Sequence, residues 1–491
     1  MSSEILINVS PMETRVALVE NGVLQEVTVE RTQSRSIVGN IYKGKVVRVL
    51  PGMQAAFVDI GLEKAGFIHV DDIYRPEAGQ GRDSASEKEL DIKQCLREGE
   101  SVVVQVVKEA ISTKGARLTT KLSVSSRYLV YMPDASHIGI SQRIEDEEER
   151  LRLRQQLDAA IESNQQGGGF ILRTAAEGVD ESDLAREVEF LQQLWRQVSE
   201  TAKALKAPSL VYEDLPMFLR AMRDMVHPLV ERVRVDCREA HTKLCEFTQR
   251  FDPEMESVIE YYSAEQPLFY LYDVEDEITR ALEQKVPLKS GGYLIIEQTE
   301  AMTTVDVNTG AFVGHKNLEE TTFKTNLEAT TTIARQLRLR NLGGIIIIDF
   351  IDMMDTEHQR QVLKALEKAL AQDRAKTGIA SVSALGLVEM TRKRTSESLG
   401  RILCQTCPTC EGKGQLKSAE TTCYEILREV LREARTFESK KMLILASQLV
   451  IDRLLDDESS HVADLEAFVG RILEFRVEPM YSQEQFDIIP V

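Results

Sequence analysis

The sequence predicts an α/β protein of several domains, with one all-β barrel set among mixed units of helix and strand. Three observations predict it. Residues 37–125 carry five short alternating runs punctuated by Gly52, Gly61, Gly99 and Gly115. Residues 281–400 switch repeatedly between a side-chain period of two and one near 3.6, the pattern of strands interleaved with helices. A length of 491 residues exceeds what one hydrophobic core normally serves, so two to four domains are expected.

Composition sets the outer bounds. No apolar run approaches the roughly 18 residues a membrane span needs. The opening MSSEILINVS has neither the basic nor the apolar region of a signal peptide. The 7 cysteines are irregularly spaced and suggest no secreted disulfide framework, so a cytoplasmic location is expected. Cys237 and Cys245 read as small buried hydrophobes or inert thiols. A net charge of -19 argues against indiscriminate nucleic-acid binding and confines any such binding to a local cationic path. Arg335, Arg338 and Arg340, and the consecutive Arg392, Lys393 and Arg394, are the clusters available for one.

Taken in order, residues 1–36 read as three strands, Ile5–Val9, Thr14–Val19 and Leu24–Val29, the last two joined at Asn21-Gly22, a strong hairpin signal. Residues 37–125 read as strands 40–49, 53–60, 66–69, 101–107 and 116–122 around a polar insertion at roughly 75–100, a pattern that fits an OB barrel. The alternation across Ala55–Ile60 turns Phe57 away from Ala56, Val58 and Ile60, which makes it an outward aromatic; the alternative is a core Phe. Residues 126–212 begin with SRYLVYMP, continue through a charged helix at 145–162, and reach the loop-and-strand run GGGFILRT. There Arg173 and Thr174 offer a cation and a hydroxyl at a strand end, the chemistry of a phosphate grip or, alternatively, of a surface ion pair. Residues 213–280 read as mostly helical. The run DVEDEITRALEQKV would place Ile278, Leu282 and Val286 on one helical face.

Residues 281–400 hold the stretch with most chemistry in it. In Thr303–Asn308 a period of two puts Thr304, Asp306 and Asn308 on one face, with Val305 and Val307 on the other. Ile345–Ile348 reads as a strand buried on both faces, behind Gly343-Gly344, which are expected to end the helix 318–342. Asp349 stands where that strand ends, and a carboxylate there needs a partner or a cation. Asp306, Asn308 and Asp349 together form an all-oxygen donor set suited to Mg²⁺; the alternative is that each carboxylate caps a loop. Asp352 reads as a supporting carboxylate or the cap of the next helix, which starts near Asp355. In residues 401–415, Cys407 and Cys410 have the C-x-x-C spacing of a Zn²⁺ half-site. Cys404 and Cys423 could complete it within one chain, or a second chain could supply its own pair. A redox role would want a thioredoxin-like βαβ setting around the pair, which is missing. Residues 416–491 read as a small α+β domain, with strands 442–446 and 471–477.

The runs VDVNTG and GGIIIIDFIDM, with EMTRKR at 389–394 and CPTC at 407–410, resemble the catalytic core of the ribonuclease E/G endoribonucleases. The resemblance extends over essentially the whole chain and points to the short branch of the family. It implies a ribonuclease H-like subdomain from 1–36 and 213–280, an S1-like OB domain at 37–125 and a 5′-phosphate sensor at 126–212. A deoxyribonuclease-I-like catalytic unit at 281–400, a zinc link at 401–415 and a small C-terminal domain at 416–491 follow. It implies that Asp306 and Asp349 hold Mg²⁺ and that Asn308 positions them. Arg173 and Thr174 would grip a 5′-monophosphate, with Ser126 and Val130 touching the same end; Ser126 departs from the glycine of longer relatives. Phe57, Phe67 and Lys114 match RNA-contacting positions. One Zn²⁺ would be shared by Cys407 and Cys410 of two chains, giving a homodimer. The long scaffold of larger members is not matched, and with it goes the basis for degradosome partners or membrane attachment.

The activity implied is Mg²⁺-dependent hydrolysis of single-stranded RNA, with ribosomal-RNA 5′-end processing and messenger decay as tasks. No His lies in the two core motifs, which disfavours a metal-free route through a cyclic phosphate, although His315 and His358 are near in sequence. The rivals are a non-catalytic OB-fold RNA-binding or ribosome-associated protein, and a phosphate-dependent exonuclease with an OB module.

Overall fold

A computed structural model of the chain describes residues 2–74, 91–110, 115–164, 167–226, 229–251, 253–310, 318–383, 385–393, 396–437 and 439–491. The chain divides into two units, Met1–Ile402 and Leu403–Val491. Among the described residues no helix is long and apolar enough to cross a membrane.

Among the described residues the first unit contains four sheets. One runs in the order Ile259–Tyr261, Val230–Val235, Ser3–Val9, Glu13–Glu20 and Val23–Arg31. Asn21 and Gly22 both have positive φ, 51° and 75°, the backbone a two-residue hairpin turn requires. The region 213–280 is therefore less helical than expected, since Val230–Val235 pairs in parallel with Ser3–Val9 and Ile259–Tyr261 pairs in parallel with Val230–Val235. VERVRV alternates, but the run is short and half charged, and helical periodicity on either side outweighs it.

Strands Ile41–Leu50, Ala55–Asp59, Gly66–His69, Arg117–Thr119 and Ser101–Lys108 pair in that order. The last pairs back onto the first, so the barrel is closed. Its core is filled by Val46, Ala56, Val58, Ile68, Val104 and Leu118. The expected strand 116–122 is only three residues long. Beyond it, Thr120 donates its N–H to Asp72, which turns the chain out of the barrel.

A four-stranded sheet, Ile138–Ile140, Gly169–Leu172, Leu129–Met132 and Val124–Ser125, packs one face on helices Glu147–Asn164 and Glu181–Ala204. Glycine is required where the loop enters this sheet. Gly168 has φ 122°, and a Cβ there would lie 2.4 Å from the Tyr131 ring.

The fourth sheet runs Lys285–Pro287, Tyr293–Gln298, Met302–Asn308, Gly344–Asp349, Val388–Arg392 and Thr377–Val382. Met302–Asn308 and Gly344–Asp349 are its parallel pair. Helices Leu318–Leu339 and Thr356–Leu370 cover one face only, where Ile333, Leu337, Val362 and Leu366 pack on Val305, Val307, Ile346 and Ile348. Ile345–Ile348 is consequently not buried on both faces: Ile346 and Ile348 are buried, while Ile345 is 50% exposed on the open side.

Three further expectations are corrected. Helix Val274–Arg280 stops early, because Lys285 enters a strand; Leu282 is exposed and Val286 is a buried strand residue, so the two share no helical face with Ile278. Helix Leu318–Leu339 is ended by Asn341 at φ 48°, with the Leu342 N–H donating to Leu337, before Gly343 is reached. The arginine cluster on that helix faces inward and forms no basic path. Arg338 is buried against Glu20 and Glu26, Arg335 pairs with Glu277, and Arg340 donates to the Glu283 carbonyl. Arg392 is likewise buried, paired with Asp373 at 2.7 Å, whereas Lys393 is exposed and Arg394 lies outside the described residues.

The second unit has a three-stranded sheet, Ile472–Val477, Lys441–Ala446 and Phe486–Pro490. Helices Ala419–Thr436, Gln448–Leu455 and Ser459–Val469 pack on it around Ile426, Val430, Ile444 and Leu454.

Candidate active site and outlying subsites

The open face of the six-stranded sheet carries the carboxylates. Asp306 and Asp349 are register partners across the parallel pair, both exposed, at the carboxyl ends of their strands. Adjacent strands lie about 4.8 Å apart, so two like charges are held side by side. Asn308 is two residues along the same face, and its Nδ2–H donates to Asp306 Oδ2 at 2.9 Å. The Asp349 carboxyl is held above its ordinary range by partial burial, then by the charges of Asp306 and Asp352. The cap of the following helix is Asp355, whose carboxylate accepts from the Glu357 N–H at 2.8 Å, and not Asp352. Among the described residues no three His, Cys, Asp or Glu side chains converge as a metal cage, so the donor set here is two carboxylates and an amide. That is a set for a hard cation that keeps water and takes substrate oxygens.

Helix Leu318–Leu339 positions the loop after Asp349. Asn326, fully buried, donates to the Ile351 carbonyl at 2.8 Å and accepts the Ile351 N–H at 3.1 Å. Two turns earlier, Glu319 accepts the backbone N–H groups of Met354 and Asp355 and meets His358 Nδ1 at 3.2 Å. His358 stacks on Phe323 and serves this brace. His315 lies outside the described residues. Sequence reasoning missed Asn326, although a signal existed: it stands on the same helical stripe as Phe323, Ile333 and Leu337, where a polar group needs a buried partner.

On the barrel, Phe57 and Phe67 are register partners, half-exposed, with ring centroids 6.0 Å apart at 64°. Phe57 therefore does face outward. Arg48 is the register partner of Phe57 on one side, and Arg117, paired with Asp72 at 2.8 Å, that of Phe67 on the other, giving a row of cation, two rings and an ion-paired cation. Lys114 lies outside the described residues.

Arg173 follows strand Gly169–Leu172. Its own N–H donates to the Tyr128 carbonyl, and Nη1 donates to the Ser126 carbonyl at 2.7 Å. Thr174 is exposed, its hydroxyl 3.0 Å from that of Ser141. Val130 pairs with Ile171 on the sheet face turned from the helices; Arg173, two residues beyond Ile171, projects to the same side. A cavity of about 650 Å³ opens there, walled by Val130, Met132 and Ile171 and, from the barrel, Ile73 and Tyr74. Ser126 is buried, and its hydroxyl donates to Glu187 at 2.5 Å. The same carboxylate accepts the N–H groups of Arg127 and Tyr128. Burial pushes the Glu187 carboxyl up to about 7 against the pull of those donors. Glu187 was also missed; it occupies one position in a long charged helix, with no local pattern to mark it.

In the second unit, the Cys407 thiol is held below its ordinary value by hydrogen bonds from the backbone of Cys410 and Thr409. Glu411 and Gly412 have positive φ, 50° and 84°, which curls the turn around the sulfurs. Cys404 and Cys407 are exposed. Cys423 is fully buried in the helical core and donates to the Val450 carbonyl, which speaks against its closing a four-thiolate site with Cys404, Cys407 and Cys410.

Residues 123–395 match the model of the Ribonuclease E/G family, and residues 406–490 that of the RNase E/G thioredoxin-like domain. The expectation that a thioredoxin-like βαβ setting is missing around Cys407 and Cys410 is therefore corrected: Lys441–Ala446 and Ile472–Val477 pair in parallel, with helices Gln448–Leu455 and Ser459–Val469 between them. Ribonuclease G of Salmonella typhimurium is 55% identical over 490 residues, with 100% of each chain covered. Ribonuclease G of Escherichia coli K12 is 54% identical over the same length, again covering 100% of both. Ribonuclease E of Escherichia coli K12 is 38% identical over 468 residues, which is 94% of this chain and 43% of that protein.

Proposed function

The chain belongs to the ribonuclease E/G family, and from that premise we propose how its residues carry out the reaction. It is an endoribonuclease acting on RNA, from a family of metal-dependent nucleases. The non-catalytic RNA-binding reading is set aside. The observation that carries the mechanism is the in-register pairing of Asp306 with Asp349 on the open sheet face.

Asp306 and Asp349 would hold Mg²⁺. The donor chemistry fits, because two carboxylates side by side in register repel each other and are relieved by a cation. When bound, the cation would supply Lewis-acid charge to activate a water and to neutralise charge building on the phosphate. Asn308 fixes the rotamer of Asp306 through its 2.9 Å hydrogen bond, and Asn326 and Glu319 fix the loop that follows Asp349. Water attacks phosphorus and the P–O3′ bond breaks, leaving a 5′-phosphate and a 3′-hydroxyl. The ribose 2′-hydroxyl takes no part.

The barrel at 37–125 acts as an S1-like OB module. Single-stranded RNA stacks on Phe57 and Phe67, with Lys114, Arg48 and Arg117 along its backbone. In the segment 126–212, Arg173 and Thr174 receive a 5′-monophosphate, and the terminal nucleoside rests near Val130. Residues 1–36 and 213–280 form a ribonuclease H-like subdomain, 281–400 the deoxyribonuclease-I-like catalytic unit and 416–491 the small C-terminal domain. Cys407 and Cys410 supply half of a Zn²⁺ site in 401–415. With Cys423 committed to the core, the Cys pair of a second chain completes it and makes the protein a homodimer. Processing of ribosomal-RNA 5′ ends and messenger decay are its tasks, in the cytoplasm.

The test is the chemistry of the products. A 5′-monophosphorylated oligomer digested with Mg²⁺ should give fragments with 5′-phosphate and 3′-hydroxyl ends by mass spectrometry. Fragments ending in a 2′,3′-cyclic phosphate would overturn the mechanism. Stepwise mononucleotide release that requires inorganic phosphate would favour the exonuclease.

A further inference from the structure

The Arg173 guanidinium is already engaged. Nη1 is taken by the Ser126 carbonyl, and Nη2 donates to Asp224 Oδ1 at 2.5 Å. Asp224 closes helix Met217–Met225, 51 positions along the chain. Its other oxygen accepts from Arg223 Nη2 at 3.0 Å, and Arg223, which is buried, also pairs with Asp214 at 3.3 Å. Two guanidiniums and two carboxylates thus make a quartet with no net charge. Asp224 is 36% exposed at the side chain, on the solvent side of the quartet, where an incoming anion meets its field.

We propose that Asp224 is the specificity determinant of the 5′-end site. It orients Arg173 and, by its charge, limits how much negative charge the RNA end can bring. The inference rests on the reading of Arg173 as the residue that receives that end. Arg173 has five N–H donors and spends one on Ser126 and one on Asp224, which leaves three for a phosphate in a fixed orientation. A terminal monophosphate brings about 1.5 to 2 negative charges. It is bound by those hydrogen bonds despite a neutral surrounding. A triphosphate brings roughly twice that charge and finds no additional cation in the quartet. Arg374, whose Nη2 donates to the Met225 carbonyl at 3.2 Å, and Arg143, which donates to the Arg374 carbonyl, flank the quartet but are already engaged, so each added charge is still brought toward the Asp224 carboxylate.

Asp224→Asn separates orientation from charge. The amide oxygen can still accept from Arg173, while the quartet becomes a net cation. The experiment measures initial rates of cleavage, with Mg²⁺, of one oligomer carrying a 5′-hydroxyl, 5′-monophosphate or 5′-triphosphate, at low and high salt. Wild type should prefer monophosphate over triphosphate. Asp224→Asn should narrow that ratio by about five- to tenfold at low salt, with the 5′-hydroxyl rate unchanged, and the narrowing should shrink as salt screens the exposed charge. Asp224→Ser, which also keeps an acceptor without the charge, should narrow it in the same direction. Asp224→Ala, which frees Arg173, should lower the monophosphate rate toward that of the hydroxyl end. A wild-type preference that both Asp224→Asn and Asp224→Ser leave intact would overturn the role of Asp224 and leave the sensor standing. A wild type indifferent to all three ends would overturn both.

Discussion

Replacing Glu187 with glutamine should alter the pH dependence of stability in a direction fixed by the structure. The carboxylate is 2% exposed, and it accepts from the Ser126 hydroxyl and the N–H groups of Arg127 and Tyr128. Those donors favour its charged form, but burial outweighs them and raises the carboxyl from 4.5 to about 7. The folded protein therefore keeps a proton on this group between about pH 4.5 and 7, where the unfolded chain has lost it. Stability from this source is fully present below pH 4.5 and declines as pH rises through 7. At 1.36 kcal/mol per pH unit the decline totals on the order of 3 kcal/mol. Glutamine fits the site without titrating. Its oxygen can take the two N–H groups, and its amide can donate to Ser126, whose hydroxyl still reaches the Leu129 carbonyl at 3.1 Å. Thermal unfolding midpoints of wild type and Glu187→Gln, followed from pH 5 to 8, provide the assay. The variant should be at least as stable as wild type at pH 8, and its advantage should disappear toward pH 5. Parallel pH profiles, or an advantage that grows toward acid, would refute the reasoning.

Three other outcomes follow from the same geometry. Asn326→Ala removes both hydrogen bonds to Ile351, so the Mg²⁺ concentration for half-maximal cleavage should rise by roughly tenfold and activity should recover at saturation, as for other groups that orient metal ligands; a Mg²⁺ titration reads this. Phe57→Ala should weaken single-stranded RNA binding by about 1–3 kcal/mol per stacked base, measured by fluorescence anisotropy without Mg²⁺, while duplex RNA is little affected. Cys407→Ser with Cys410→Ser should abolish Zn²⁺ binding and shift the protein toward monomer in analytical ultracentrifugation; wild type should hold one Zn²⁺ per two chains, and one per chain would send the site back to closure within a chain.

Local pattern carried most of the fold. The hairpin at Asn21-Gly22, the barrel strands and the faces of Met302–Asn308 all follow from a period of two, which depends only on neighbouring residues. The placing of Asp306 and Asp349 at strand ends was legible because a charge there is conspicuous wherever the strand lies. The pairing of Ser3–Val9 with Val230–Val235 was not legible, since partners more than 200 residues apart leave no joint periodicity. Burial of only one face of Gly344–Asp349 was hidden for a related reason. A β-branched run says that a strand is present, not that helices cover a single side. The arginines of helix Leu318–Leu339 misled because charge in sequence does not report its partners. Glu20, Glu26 and Glu277 come from distant segments, and they turn a seeming basic patch into internal ion pairs. Glu187 and Asp224 escaped notice in the same way, because each acts on Arg173 or its supporting turn from a separate helix.

In the proposed mechanism Asp306 and Asp349 jointly hold the catalytic cation, and cleavage needs both carboxylates. Single-turnover cleavage of a 5′-monophosphorylated single-stranded RNA by Asp306→Asn and Asp349→Asn, with RNA affinity measured separately in the absence of Mg²⁺, tests it most directly. Each variant should lose on the order of 100-fold or more in rate, comparable to the loss of other transition-state stabilisers, and bind RNA within about threefold of wild type. Isothermal titration with Mn²⁺ should show the cation affinity reduced in both. Near-normal cleavage by both variants, or a rate loss matched by an equal loss of RNA binding, would show that the two carboxylates do not hold the catalytic cation.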